Sequence, residues 1–137
     1  MVTAQSMVVD QITKNENAAL RTFIQRILDE LDAQVFQIIL FGSKARGDGN
    51  ADSDMDVLIL ASAENRRLQE TVNIIASQVS LDYDILFNPL LIANARWTQM
   101  SSERFSICRN VERDGIMLFS VNVTASREPQ MGIASLR

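Results

Sequence analysis

The chain has 137 residues, 47% of them hydrophobic and 22% charged, with 13 basic and 17 acidic side chains for a formal charge of −4. That is enough chain to bury one core and too little for two ordinary domains, and the acidic balance argues against a grip on long nucleic acid. The only cysteine is Cys108 and there is no histidine, which excludes an internal disulfide, a His/Cys zinc site, a Ser-His-Asp triad and a Cys-His dyad within one chain.

A bound metal would therefore sit on carboxylate oxygens, which favours magnesium or manganese. No apolar run approaches the ~20 residues needed to cross a bilayer. The first ten residues lack the basic region and apolar stretch of a signal peptide, so cytoplasm is the expected compartment and no membrane partner is expected.

Residues 1–12 show no periodicity and are expected to be flexible. A helix is predicted over 13–32, because Leu20, Phe23, Ile24, Ile27, Leu28 and Leu31 fall on one stripe, with Thr13 and Glu16 as a capping box. The apolar run 35–41 is too short for a good helix and predicts a buried strand. It stops at Gly42-Ser43, and ten residues rich in Gly, Asp and charge lead to a second predicted strand over 55–61. A second helix is predicted over 63–79, with Leu68, Val72, Ile75, Ala76 and Val79 facing inward and Ser62 as its cap. Residues 82–88 predict a third strand, with Pro89 marking an edge or an end. The segment 94–114 predicts helix, broken near Ser101-Ser102 and stopped at Gly115, and 116–121 predicts a last strand. Residues 122–137 are polar and aperiodic and predict a loose tail. The expectation is one α/β domain over 13–121.

The informative chemistry lies between the first two predicted strands. Asp54 and Asp56 are two residues apart on extended chain, so they share one side with Cα atoms about 6.5 Å apart. Two carboxylates so placed repel unless a cation neutralises them, and they can ligate a pair of metals roughly 4 Å apart. Gly42-Ser43 sits where a buried strand ends. Glycine lets a phosphate approach the main chain, and neighbouring N–H groups with the Ser43 hydroxyl can donate to it. Lys44 and Arg46 are close enough in sequence to help neutralise a triphosphate, or else are a solvated basic loop. Asp82 and Asp84 repeat the two-residue spacing, and one of them could complete a cluster of three carboxylates if the third strand lies beside the second.

The string Phe41-Gly42-Ser43, through Ala45-Arg46-Gly47, to Ser53-Asp54-Met55-Asp56 resembles the signature of the DNA polymerase beta-type nucleotidyltransferase superfamily: Gly-Ser, ten residues, then Asp-x-Asp. It is most similar to the minimal branch that is often paired with HEPN-domain proteins in toxin–antitoxin operons. The resemblance in element order extends over 18–119. It implies an α/β nucleotidyltransferase fold, a mixed sheet with helices on one side, and a site holding two Mg²⁺ ions, with Mn²⁺ able to replace them. On that pattern Gly42 and Ser43 would bind the triphosphate, and Asp54 and Asp56 would ligate both metals. Asp84, in competition with Asp82, would be the third ligand on the next strand and would help deprotonate the acceptor. The implied reaction moves a nucleoside monophosphate, AMP from ATP in the first instance, onto a hydroxyl. A HEPN-type partner would be or supply the acceptor, and homo-oligomerisation is left open. The alternative implied by the same resemblance is an antitoxin, or a nucleotide-binding protein, that acts by binding without turnover.

Overall fold

The computed structural model describes residues 8–121; the expected loose tail, 122–137, lies outside them, as do residues 1–7. Helix α1, Lys14–Leu31, begins at the predicted capping box: Thr13 Oγ1 accepts from the Glu16 amide at 3.0 Å and Glu16 Oε1 accepts from the Thr13 amide at 2.9 Å. Its stripe is fully buried at Leu20, Phe23, Ile24, Ile27 and Leu31, each worth about 1.5–3 kcal/mol of burial. Just before it, Val9, one of the described residues of the stretch expected to be flexible, is held against α1. Val9 is buried, its N–H donates to Asn17 Oδ1 at 2.7 Å and its carbonyl accepts from Asn17 Nδ2 at 2.9 Å.

After a short 3-10 turn come strand β1, Val35–Phe41, the single-turn helix α2, Gly42–Arg46, and strand β2, Met55–Ala61. Helix α3 spans Arg66–Tyr83, strand β3 Phe87–Ala93, helices α4 and α5 Asn94–Ser102 and Ser106–Asp114, and strand β4 Ile116–Ser120. The sheet order is β3-β2-β1-β4, with β1 antiparallel to both β2 and β4 and β2 parallel to β3. The two central strands are near-continuous apolar runs because both of their faces are covered. A register shift between Val35 and Gln37 changes the side-chain alternation of β1, so Val35, Ile38 and Leu40 all join the face under α1 and α3. Phe23 and Phe87 stack there, with ring centroids 4.9 Å apart.

Helices cover both faces, not one. Ile39, Leu58, Leu60 and Ile92 make the second face apolar too, and Trp97, Met100, Cys108 and Val111 of α4 and α5 close it. The other departures from expectation lie between β2 and β3. Asn65, not Ser62, caps α3, accepting from the Leu68 amide at 2.9 Å. The helix then runs on through Tyr83, whose hydroxyl bonds Thr22 Oγ1 at 2.7 Å. No strand covers 82–86; β3 starts at Phe87 and keeps Pro89 because it is an edge strand, where a missing N–H breaks no ladder. Among the described residues no helix is long and apolar enough to cross a membrane.

Candidate active site

The β1–β2 register sets Phe41 opposite Asp56, so the end of one strand and the start of the next meet where the chain turns into α2. Gly42 begins that helix with φ of 77°, a backbone that side-chain-bearing residues rarely adopt. A Cβ at Gly42 would also collide with Asp56 Oδ2. The glycine is thus required twice, by its conformation and by the carboxylate pressed against it. Ser43, half-buried, follows in the first turn, and Gly47 ends α2 in the left-handed region at φ 87°. Asp54 is exposed immediately before β2, and Asp56 is half-buried as its second residue. The structure therefore brings Gly42, Ser43, Asp54 and Asp56 to one end of the sheet.

The neighbour of Asp56 on its other side is Asn88. The two are register partners across the parallel β2–β3 pair, and Asn88 Nδ2 donates to Asp56 Oδ1 at 2.9 Å. The position expected to carry a third carboxylate on the adjoining strand therefore holds an amide. Asn88 was missed because the third strand was placed over 82–88, in place of Phe87–Ala93. The apolar run Leu90-Leu91-Ile92 was the signal that could have moved it.

Asp82 and Asp84 are not on a strand. Asp82 lies in the last turn of α3 and pairs with Arg26 at 3.5 Å across exposed surface. Asp84 caps the same helix in the left-handed region, φ 59°, a conformation that Asp and Asn tolerate better than most residues. It lines a polar cleft of about 360 Å³ with Glu16, Lys44, Gly47 and Asn50. Among the described residues no three Asp, Glu or Cys side chains are grouped so as to hold a metal, so neither acid joins Asp54 and Asp56.

The two cations of the motif are both engaged. Lys44 is buried; its Nζ donates to Glu16 Oε2 at 2.5 Å and to the Asn50 carbonyl at 2.7 Å. Asn50 in turn accepts from the Ser53 and Asp52 amides. This buried ammonium joins α1, α2 and the loop that delivers Asp54, and neither Glu16 nor this role of Lys44 was foreseen beyond the helix cap. Burial alone would push the Glu16 carboxyl up, but the Lys44 hydrogen bond and the Thr13 amide outweigh it, and the group sits below its ordinary value. Arg46 is exposed and pairs with Asp48 at 3.1 Å. The Arg113 hydrogen bond holds the Asp114 carboxyl below its ordinary value, with a smaller contribution from Arg46.

The model of the nucleotidyltransferase domain matches residues 20–117, which runs from within α1 to the start of β4 and takes in both halves of this site. The chain belongs to the nucleotidyltransferase domain family. It is 42% identical over 87 residues to a candidate protein adenylyltransferase of Methanocaldococcus jannaschii, covering 62% of this chain and 80% of that protein. A second candidate protein adenylyltransferase of that organism is 28% identical over 105 residues, covering 77% and 99%. Among solved structures, the fold is similar to a chain of a toxin–antitoxin crystallised with AMP-PNP, with a TM-score of 0.54, 18% identity and coverage of 80% and 75%. It is also similar to a chain of an MntA–HpeT toxin–antitoxin variant, with a TM-score of 0.53, 18% identity and coverage of 72% and 71%. This nucleotidyltransferase thus shares its fold with those two chains.

Nucleotidyltransferases typically use divalent metals, and the donor set here fits one. Two carboxylates and a neutral amide are hard oxygen donors, suited to Mg²⁺ or Mn²⁺, and Mg²⁺ is commonly held by one or two carboxylates plus substrate phosphates. The protein supplies only part of such a shell, and a triphosphate seated along Gly42 and Ser43 would supply the rest.

Proposed function

We propose that this nucleotidyltransferase transfers AMP from ATP onto a hydroxyl of a protein acceptor, with Mg²⁺ held by Asp54 and Asp56. The observation that carries the reading is the contact between Gly42 and the Asp56 carboxylate. It puts the stretch of main chain that a phosphate can approach directly against the acid that would hold its metal. Gly42 and Ser43 seat the triphosphate; Asp54 and Asp56 would hold the cation beside it. Lys44 acts from behind, fixing α2 and the loop before Asp54 to α1. Bound metal supplies electrostatic stabilisation of the attacking and leaving oxygens. The acceptor oxygen bonds to the α-phosphorus, the bond to the bridging oxygen breaks, pyrophosphate leaves, and the acceptor proton passes to solvent.

The candidate protein adenylyltransferases among its relatives support adenylyl as the group and protein as the acceptor. A HEPN-type partner of a toxin–antitoxin pair is the acceptor we expect, in the cytoplasm. The test is incubation with ATP labelled at the α- or the γ-phosphate, Mg²⁺ and the co-purifying partner or a lysate. Label should reach a protein from the α position only. Transfer from the γ position would make the reaction phosphorylation and sink the reading. One observation favours a second reading, binding without turnover: the neutral Asn88 where a third acid was expected. It predicts tight partner binding with no label transferred.

A further inference from the structure

Helix α2 has five residues, far below the ~12–15 at which a helix begins to stand by itself in water. Its backbone closes a single turn, in which the Ser43 carbonyl accepts from the Gly47 amide at 3.0 Å and the Asp48 amide at 3.2 Å. The turn that presents Ser43 must therefore be braced from outside. Lys44 supplies one brace, to Glu16 and to the Asn50 carbonyl. A second comes from the stretch before α1. Gln11 Nε2 donates to the carbonyl of the buried Ala45 at 3.2 Å. The Gln11 side chain also lies over Gly47, where an added Cβ would come within 3.3 Å of Gln11 Cγ. Gln11 is itself held from both sides by Asn17, which is buried in α1. Asn17 Oδ1 accepts from the Val9 amide at 2.7 Å, and its Nδ2 donates to the carbonyls of Val9 at 2.9 Å and Thr13 at 3.1 Å. Residues 9–13 thus wrap one amide side chain, with Gln11 between the anchored points.

We propose that residues 9–13 form a strap that sets triphosphate affinity, with Gln11 a positioning residue for the turn that carries Ser43. This rests on the reading of Gly42 and Ser43 as the triphosphate seat. The strap, Glu16 and Asn17 all lie ahead of residue 20, where the family match begins, so the brace is built outside the matched domain. Asp56 is placed by the β1–β2 register and not by the strap. Loosening the strap therefore weakens nucleotide binding and spares the rate of the bound complex.

The test is calorimetric titration of the full chain with α,β-methylene-ATP and Mg²⁺, beside transfer from labelled ATP to the co-purifying partner. Gln11→Met keeps the length of the side chain and removes its donor. It should weaken analogue binding at least about threefold, the loss of one hydrogen bond, and leave transfer at saturating ATP within about twofold. Asn17→Ala should weaken binding as much or more. Adding Gln11→Met to Asn17→Ala should cost less than about 1.5-fold further, because the released strap no longer delivers Gln11. A folded Gln11→Met with unchanged affinity, or with its loss confined to the saturated rate, would overturn the proposal, as would losses that multiply in the double variant. Should Asn17→Ala fail to fold, Gln11→Met decides alone. Ser43→Ala separates the proposal from the reading beneath it. Unchanged affinity in Ser43→Ala would overturn the triphosphate seat itself, whereas weakened binding there and not in Gln11→Met would overturn the strap alone.

Discussion

Two Asp-x-Asp strings of identical spacing meet opposite fates in this chain. Asp54-Met55-Asp56 enters a central strand, with one carboxylate set against Gly42 and bonded by Asn88. Asp82-Tyr83-Asp84 ends a helix, where one acid pairs with Arg26 on the surface and the other caps the helix. Spacing alone does not separate them. Backbone state does, because on a strand residues two apart share a side, whereas on a helix they lie on different faces.

The comparison breaks if the two pairs respond alike to substitution. Asp56→Asn should lower nucleotidyl transfer at least about a thousandfold, the loss of several kcal/mol of transition-state stabilisation, in an assay of labelled product, with the thermal midpoint near that of wild type. Lys44→Met strands the buried Glu16 charge and should cost about 3 kcal/mol in urea denaturation. Adding Glu16→Gln to it should recover part of that loss, since no charge is then left unpaired. Gly42→Ala must both adopt a positive φ and displace Asp56. It should cost about 1–3 kcal/mol of stability and lower transfer more than Asp84→Asn does.

A smaller effect follows from Glu16. Its depressed carboxyl binds a proton less readily folded than unfolded. The stability it contributes is therefore full above the ordinary glutamate value, about 4.3, and is lost as pH falls through the depressed one. The stability gap between wild type and Glu16→Gln should narrow across that acid window and hold steady above it. The smallest effects belong to Asp82→Asn and Asp84→Asn, which should leave transfer within about twofold. Asp82→Asn removes only an exposed pair, worth about 1 kcal/mol or less.

The sequence already displayed what depends on local pattern. The 3.6-residue stripe of α1, the capping box at Thr13 and Glu16, the apolar runs of β1 and β2 and the carboxylates at the start of β2 are all short-range signals. The boundary between α3 and β3 was not legible. Nothing between Val79 and Asp84 breaks a helix, so only tertiary contacts such as Tyr83 with Thr22 decide that it continues. That shift hid Asn88, whose importance exists only in register with Asp56. Lys44 and Glu16 are 28 residues apart; no local pattern links them, and a lysine in a glycine-rich, charged loop looks like a phosphate ligand until the fold buries it. The second apolar face of the sheet was present in Leu58 and Leu60, but which helices cover it depends on the path after β3.

The most direct test of the central claim is a parallel assay of wild type, Asp56→Asn and Asp84→Asn with α-labelled ATP, Mg²⁺ and the partner protein. The structure predicts transfer abolished by Asp56→Asn and retained by Asp84→Asn. Transfer that survives Asp56→Asn, or that fails in a folded Asp84→Asn, would contradict the site assembled here at Gly42, Ser43, Asp54 and Asp56.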